Sequence, residues 1–128
     1  MATIFISYRW GDKASRDSLE ATLNNPNNSF YDIPLEDRER YNTTAEIQSY
    51  IDRKLNDASC IIALIGERGP DGRWMNHELK SAKRLSKPII PVRIKDTLGI
   101  TPNVISDLEI VEWNVTEIQN AINNVFGR

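Results

Sequence analysis

Ser59-Cys-Ile-Ile-Ala-Leu-Ile65 is the stretch that decides the fold. After Ser59 every residue in it is apolar. A strand that is apolar at odd and even positions alike has no solvent face. It belongs in the middle of a parallel sheet covered by helices on both sides. Just upstream, Thr43-Thr-Ala-Glu46 is a capping-box signature with Thr43 as the N-cap. Ile47, Ile51 and Leu55 follow at helical spacing. Downstream, residues 66–73 read as a loop carrying Gly66, Gly69, Pro70 and Gly72, and the pattern then predicts a helix over 74–86. Helix, buried strand and helix in succession are the rhythm of an α/β protein.

The same alternation extends outward. Residues 3–8 form an apolar, β-branched and aromatic run, a first strand. A modest helix over 14–24 carries Leu19 and Leu23, and the loop 24–28 is rich in Asn and Pro. Residues 29–33 predict a short second strand. Residues 34–42 are polar and highly charged and read as a loop. A fourth strand spans 87–94, where Pro91 removes one ladder donor and predicts a bulge or a partly unpaired neighbour. Residues 95–106 read as loop, and a short fifth strand is expected around 108–111. A last helix starts at Asn114 with Ile118, Ala121, Ile122, Val125 and Phe126 on one stripe. The expected fold is a flavodoxin-like, doubly wound, five-stranded and mostly parallel sheet with helices on both faces. One domain is expected over residues 1–128. In open sheets of this type ligands bind beyond the carboxyl ends of the strands. That rule selects residues 7–13, 32–42, 66–74 and the segment from Lys95 onward.

Composition narrows the chemistry. A net charge of −2 lacks the basic footprint of a protein held to phosphate backbones, so no nucleic-acid partner is expected. No run approaches the ~18 apolar residues of a membrane span, and the apolar core near the N-terminus is too short for a signal peptide. No membrane association and a cytoplasmic location are therefore expected. A single cysteine, Cys60, excludes an intramolecular disulfide and a cysteine-rich zinc site. A single histidine, His77, excludes a multi-histidine metal site. Cys60 reads as a core residue and His77 as a surface one. No metal or bound cofactor is expected.

One charge stands in the wrong place. With Met75 at zero and about 100° per residue, Leu79 falls near ~40°, Ala82 near ~340°, Leu85 near ~280° and Trp74 near ~260°. These define the apolar arc of the helix over 74–86, and Glu78 falls inside it near ~300°. A carboxylate there is either desolvated or at a pocket mouth. Burial raises its pKa and the helix N-terminus lowers it. An acid in the first turns also serves simply as a partner of the macrodipole or of a nearby cation.

At this point the residues resemble a known family, the TIR (Toll/interleukin-1 receptor) domain. Phe5-Ile-Ser-Tyr-Arg9 followed by Asp12 is similar to the TIR opening strand. Phe30-Tyr-Asp32 resembles its second strand, and residues 34–42 the variable BB loop after it. Trp74-x-x-x-Glu78-Leu79 resembles the Trp-x-x-x-Glu-Leu motif, and Ile89-Ile-Pro-Val92 the strand that follows. The resemblance runs through the chain in order and has the flavour of compact prokaryotic TIR-like proteins, including stand-alone members of Thoeris antiphage systems. It implies that Glu78 is the catalytic residue for cleaving NAD+ between nicotinamide and ribose. NAD+ is then a substrate rather than a cofactor. Glycosidic cleavage develops oxocarbenium character that one carboxylate can stabilise, and the cationic nicotinamide leaves without a strong general acid. Ser7, Tyr8, Arg9, Asp32 and Trp74 are the accompanying substrate-binding candidates, Arg9 as a phosphate or carboxamide contact. Arg38 and Arg40 have the charge to reach phosphates, although a segment such as Leu35-Glu-Asp-Arg-Glu-Arg40 ordinarily stays solvated.

The resemblance also implies self-association through the loop 34–42. With one domain's worth of chain, it implies a cyclic ADP-ribose-type product that activates a separate effector protein. Two other readings use the same residues: a non-enzymatic TIR interaction module, and an enzyme like the nucleoside deoxyribosyltransferases. A response-regulator receiver lacks its acids at Ser7-Tyr8-Arg9 and its Asp at Gly66-Glu67. The missing GxGxxG after the first strand argues against a Rossmann domain.

Overall fold

The structure, a computed structural model, describes residues 2–67 and 72–125. Gly69 and Pro70 of the expected loop and Phe126 of the expected last stripe lie outside them. Four parallel strands form the sheet: β1 (Ala2–Ser7), β2 (Asn28–Tyr31), β3 (Cys60–Ile65) and β4 (Ile89–Arg93), in the order β2-β1-β3-β4. Among the described residues five α-helices accompany it: α1 (Lys13–Thr22), α2 (Leu35–Arg40), α3 (Thr44–Leu55), α4 (Arg73–Arg84) and α5 (Val115–Val125). β3 is buried along its whole length, as its unbroken apolar run requires. Its even residues Ile62 and Leu64 pack with Leu19 and Leu23 of the α1 side and Ile118 and Ile122 of α5. Its odd residues Ile61, Ala63 and Ile65 pack with Ile47, Ile51 and Leu55 of α3 and Met75, Leu79 and Ala82 of α4. Helices therefore cover both faces.

Among the described residues the sheet has four strands where five were expected. The fifth shrinks to a single parallel bridge between Val92 and Val111. Val111 N–H donates to the Pro91 carbonyl at 2.8 Å, and Arg93 N–H to the Val111 carbonyl at 2.9 Å. Residues 91 and 93 thus turn their backbone groups toward that edge. The next bond of a parallel ladder would need an N–H from Pro91, which has none. Pro91 leaves its neighbour partly unpaired, as its position predicts.

Two further boundaries differ. Residues 35–40 form helix α2 rather than loop. Pro34 precedes it in extended geometry, Glu36 and Asp37 sit in its first turn and Arg38 and Arg40 in its last, the charge order that favours the helix dipole. Helix α4 ends at Arg84, two residues short of the expected end. There Lys87 N–H bonds the Ala82 carbonyl and Ser86 N–H the Lys83 carbonyl, with Ser86 in the left-handed region at φ 58°. The expected capping box is present: Glu46 N–H donates to Thr43 Oγ1 at 3.2 Å, and Thr43 N–H to Glu46 Oε1 at 3.2 Å.

The loop after β4 returns to the end of β3. A Cβ on Gly99 would lie 2.2 Å from the Gly66 carbonyl oxygen, so only glycine permits this backbone approach. Among the described residues no helix is long and apolar enough to cross a membrane.

Ser86 adopts a backbone conformation that glycine takes without steric cost. Ser86→Gly is expected to raise unfolding stability by about 0.5–1 kcal/mol. Urea denaturation of the two proteins checks this.

Candidate active site

β1 and β3 sit side by side at the centre, and their carboxyl ends form the point where the strand order reverses. Strand parity then sorts the residues leaving β1. Phe5 lies in the cluster on the α3/α4 face, whereas Ile4, Ile6 and Tyr8 lie in the one on the α1/α5 face. Ser7 shares the parity of Phe5 and so meets α4.

Glu78, in the second turn of α4, has no exposed surface. Its place in the apolar arc of the helix is borne out, with Met75, Leu79 and Ala82 buried around it. Ser7, also fully buried, donates from Oγ to Glu78 Oε1 at 2.7 Å. The other oxygen, Oε2, faces Arg38 Nη2 at 3.7 Å. Neither Oε2 nor that Nη2 has a hydrogen-bond partner among the described residues. Burial pushes the Glu78 carboxyl up to about 7; the Arg38 charge and the Ser7 hydrogen bond pull it down, and Asp32 raises it further. Of the two influences identified in the sequence, burial is the largest cause here, and what opposes it is the Arg38 charge and the Ser7 hydrogen bond.

Arg38 is the residue the sequence reading misplaced. It is 8% exposed rather than solvated. Its Nε donates to the Ile33 carbonyl at 3.1 Å, and its guanidinium lies 5.4 Å from the centre of the Tyr8 ring. A charged six-residue run carries no apolar periodicity that would mark one arginine as buried. Its partner, Glu78, lies forty positions away. Arg40, by contrast, stays mostly exposed and pairs with Asp37 at 3.7 Å.

Tyr8 is fully buried and donates its hydroxyl to Asp32 Oδ2 at 2.7 Å. Arg16 Nε reaches the same oxygen at 3.1 Å. Burial first, then the Asp32 hydrogen bond, holds the Tyr8 phenol well above its ordinary pKa, so it remains a donor. Asp32 is thus brought to Tyr8 and Arg16 rather than into contact with Glu78. Arg9 and Trp74 stand on the wall of a cleft of about 390 Å³ whose lining includes Tyr8, Trp10, Arg38 and Met75. Trp74 meets the Tyr50 ring edge-on at 6.4 Å, and Tyr50 stacks on Tyr41 at 4.8 Å. Arg38 therefore belongs both to the cleft wall and to the cluster around Glu78, whereas Tyr8 joins the cleft wall to Asp32. Cys60 is buried, as read from the sequence, and His77 is half-buried. Among the described residues no group of three His, Cys, Asp or Glu side chains is placed to hold a metal ion.

A parallel sheet in the order 2-1-3-4, covered on both faces, with a buried glutamate of a Trp-x-x-x-Glu segment at its reversal point, defines a TIR-like domain. The family model described as the TIR-like domain of the Thoeris protein ThsB matches residues 5–98, and the chain belongs to that family. It is also similar in fold to the crystal structure of a prokaryotic SEFIR domain, at a TM-score of 0.56 and 12% identity over 98% of this chain and 96% of that one. No curated protein matches the chain.

The raised Glu78 carboxyl has a consequence for stability. The native state holds a proton on Glu78 at a pH where the unfolded chain, with an ordinary glutamate pKa near ~4.3, has released it. The stabilisation is present below ~4.3 and is lost as pH rises toward about 7. Glu78→Gln is expected to remove this pH-dependent loss, up to about 3 kcal/mol. Denaturant unfolding of wild type and variant at pH 5 and pH 8 checks it.

Proposed function

We propose that this chain cleaves NAD+ at the bond between nicotinamide and ribose, with Glu78 as the catalytic carboxylate. The observation that carries the reading is the placement of Glu78: wholly buried, bonded to Ser7, paired with Arg38, and next to a cleft at the carboxyl ends of the strands. Membership in the Thoeris TIR-like family supports the same reaction class.

The chemistry follows from the charges. As the bond between ribose C1′ and the nicotinamide nitrogen breaks, its electron pair passes to the pyridinium ring and neutralises it. The sugar is left with oxocarbenium character. Ionised Glu78, in a water-poor site, stabilises that positive charge far more than a solvated carboxylate would. Attack at C1′ by water gives ADP-ribose and a proton. Attack by an adenine nitrogen or a ribose hydroxyl of the same molecule gives a cyclic ADP-ribose-type product. Arg9 on the cleft wall suits the pyrophosphate, and Trp74 offers a flat apolar surface to a ring. The product then acts on a separate effector protein in antiphage defence, and the segment 34–42 serves self-association.

The second reading is a non-enzymatic interaction module. Leu98 and Ile100 favour it: they are 87% and 74% exposed on the loop that Gly99 fixes against Gly66, at the same sheet edge. That reading expects no nucleotide turnover and leaves Glu78 a structural role.

Incubation with NAD+ at high protein concentration, followed by chromatographic separation of nicotinamide, ADP-ribose and cyclic isomers, decides between them. Nicotinamide release by the wild type is expected, with a loss on the order of 10³-fold in Glu78→Gln while circular dichroism is unchanged. Absence of nicotinamide from the wild-type reaction would refute the enzymatic reading.

A further inference from the structure

We infer that Arg38 is a positioning residue that, together with Glu78, receives one sugar hydroxyl of the substrate, on the ribose that carries the leaving group. The inference rests on the nicotinamide-releasing reading above. It starts from two buried atoms that lack a hydrogen bond and face each other. Glu78 Oε2 and Arg38 Nη2 are 3.7 Å apart, too far for a direct hydrogen bond. A carboxylate oxygen only accepts and a guanidinium nitrogen only donates. The group that satisfies both with a single atom is a hydroxyl, which donates its proton to Oε2 and accepts from Nη2. An oxygen ~2.8 Å from each atom fits the 3.7 Å gap at ordinary hydrogen-bond distances.

Access and rigidity point the same way. Glu78 is wholly buried, while Arg38 both lines the cleft and touches Glu78. A ligand in the cleft therefore meets Arg38 on its way to the carboxylate. Arg38 is held at its other end, with Nε on the Ile33 carbonyl and the guanidinium against Tyr8. Helix α2 is itself anchored, since Tyr50 donates its hydroxyl to the Asp37 carboxylate. The donor is thus fixed before substrate arrives, which is what positioning requires. A site with buried groups built to bond a hydroxyl rejects an analogue that lacks it, because those groups are then left unpaired.

The test compares nicotinamide release from NAD+ with release from NAD+ lacking the 2′- or the 3′-hydroxyl of the nicotinamide ribose. Wild type, Arg38→Met and Arg38→Lys are each assayed. Wild type is expected to prefer intact NAD+ over one of the two analogues by ~10³-fold or more. In Arg38→Met that preference shrinks by ~10-fold or more, through a lower kcat on NAD+ rather than a matching change on the analogue. Arg38→Lys keeps the positive charge beside Glu78 but not the Nη2 position. It decides the matter if the methionine variant does not fold, and the same narrowing of preference is expected. A residue that only supported the fold would slow both substrates alike. Folded variants that retain the wild-type preference, or a wild type indifferent to both hydroxyls, would overturn the inference and leave the enzymatic reading standing. A wild type that releases no nicotinamide overturns both.

Discussion

Everything at this site depends on one constraint: a carboxylate enclosed in an apolar layer must find polar partners inside the protein. Glu78 lies between β1 and α4 with no contact to solvent. Ser7 and Arg38 meet that requirement in part, one through a hydrogen bond and one through charge. Each arrives for a structural reason. Strand parity turns Ser7 toward α4 while its neighbour Tyr8 turns the other way. The charge order of α2 makes a helix out of an otherwise polar segment and delivers Arg38 from it. Breaking such a pair by removing one member leaves a buried charge uncompensated, a loss of about 3–5 kcal/mol.

The two sides of β1 divide the labour. On one side Ser7, Glu78 and Arg38 form one buried polar cluster. On the other, Tyr8, Asp32 and Arg16 form a second polar chain, joined to the first where the Arg38 guanidinium lies against the Tyr8 ring. Asp32 therefore acts on Glu78 only from a distance, raising its pKa, and sets the position of Tyr8 directly. The cleft wall adds Arg9 and Trp74.

Much of this was legible in the sequence because local patterns report local physics. The unbroken apolar run of β3 marked the centre of the sheet, the Thr43–Glu46 box marked the start of α3, and the helical wheel placed Glu78 in an apolar arc. What escaped reading depends on distant partners. Arg38 looks like any solvated cation until Ile33, Tyr8 and Glu78 are brought around it. The fifth strand reads plausibly from residues 108–111. It fails because Pro91, on the neighbouring strand, turns its missing N–H toward that edge. Asp32 ends the second strand in the sequence pattern, but only the fold pairs it with Tyr8 and Arg16 rather than with the carboxylate.

The ionisation of Glu78 condenses the whole arrangement into one observable. Burial alone would make it a strong proton holder; Arg38 and Ser7 bring it back to where it titrates near neutrality and is available as an anion. The direct measurement is a titration of the Glu78 side-chain carboxyl by carbon-13 NMR in the intact protein. A transition near pH 7 is expected. A transition at the ordinary glutamate value of ~4.3 would contradict the enclosed, Arg38-paired carboxylate on which the site is built.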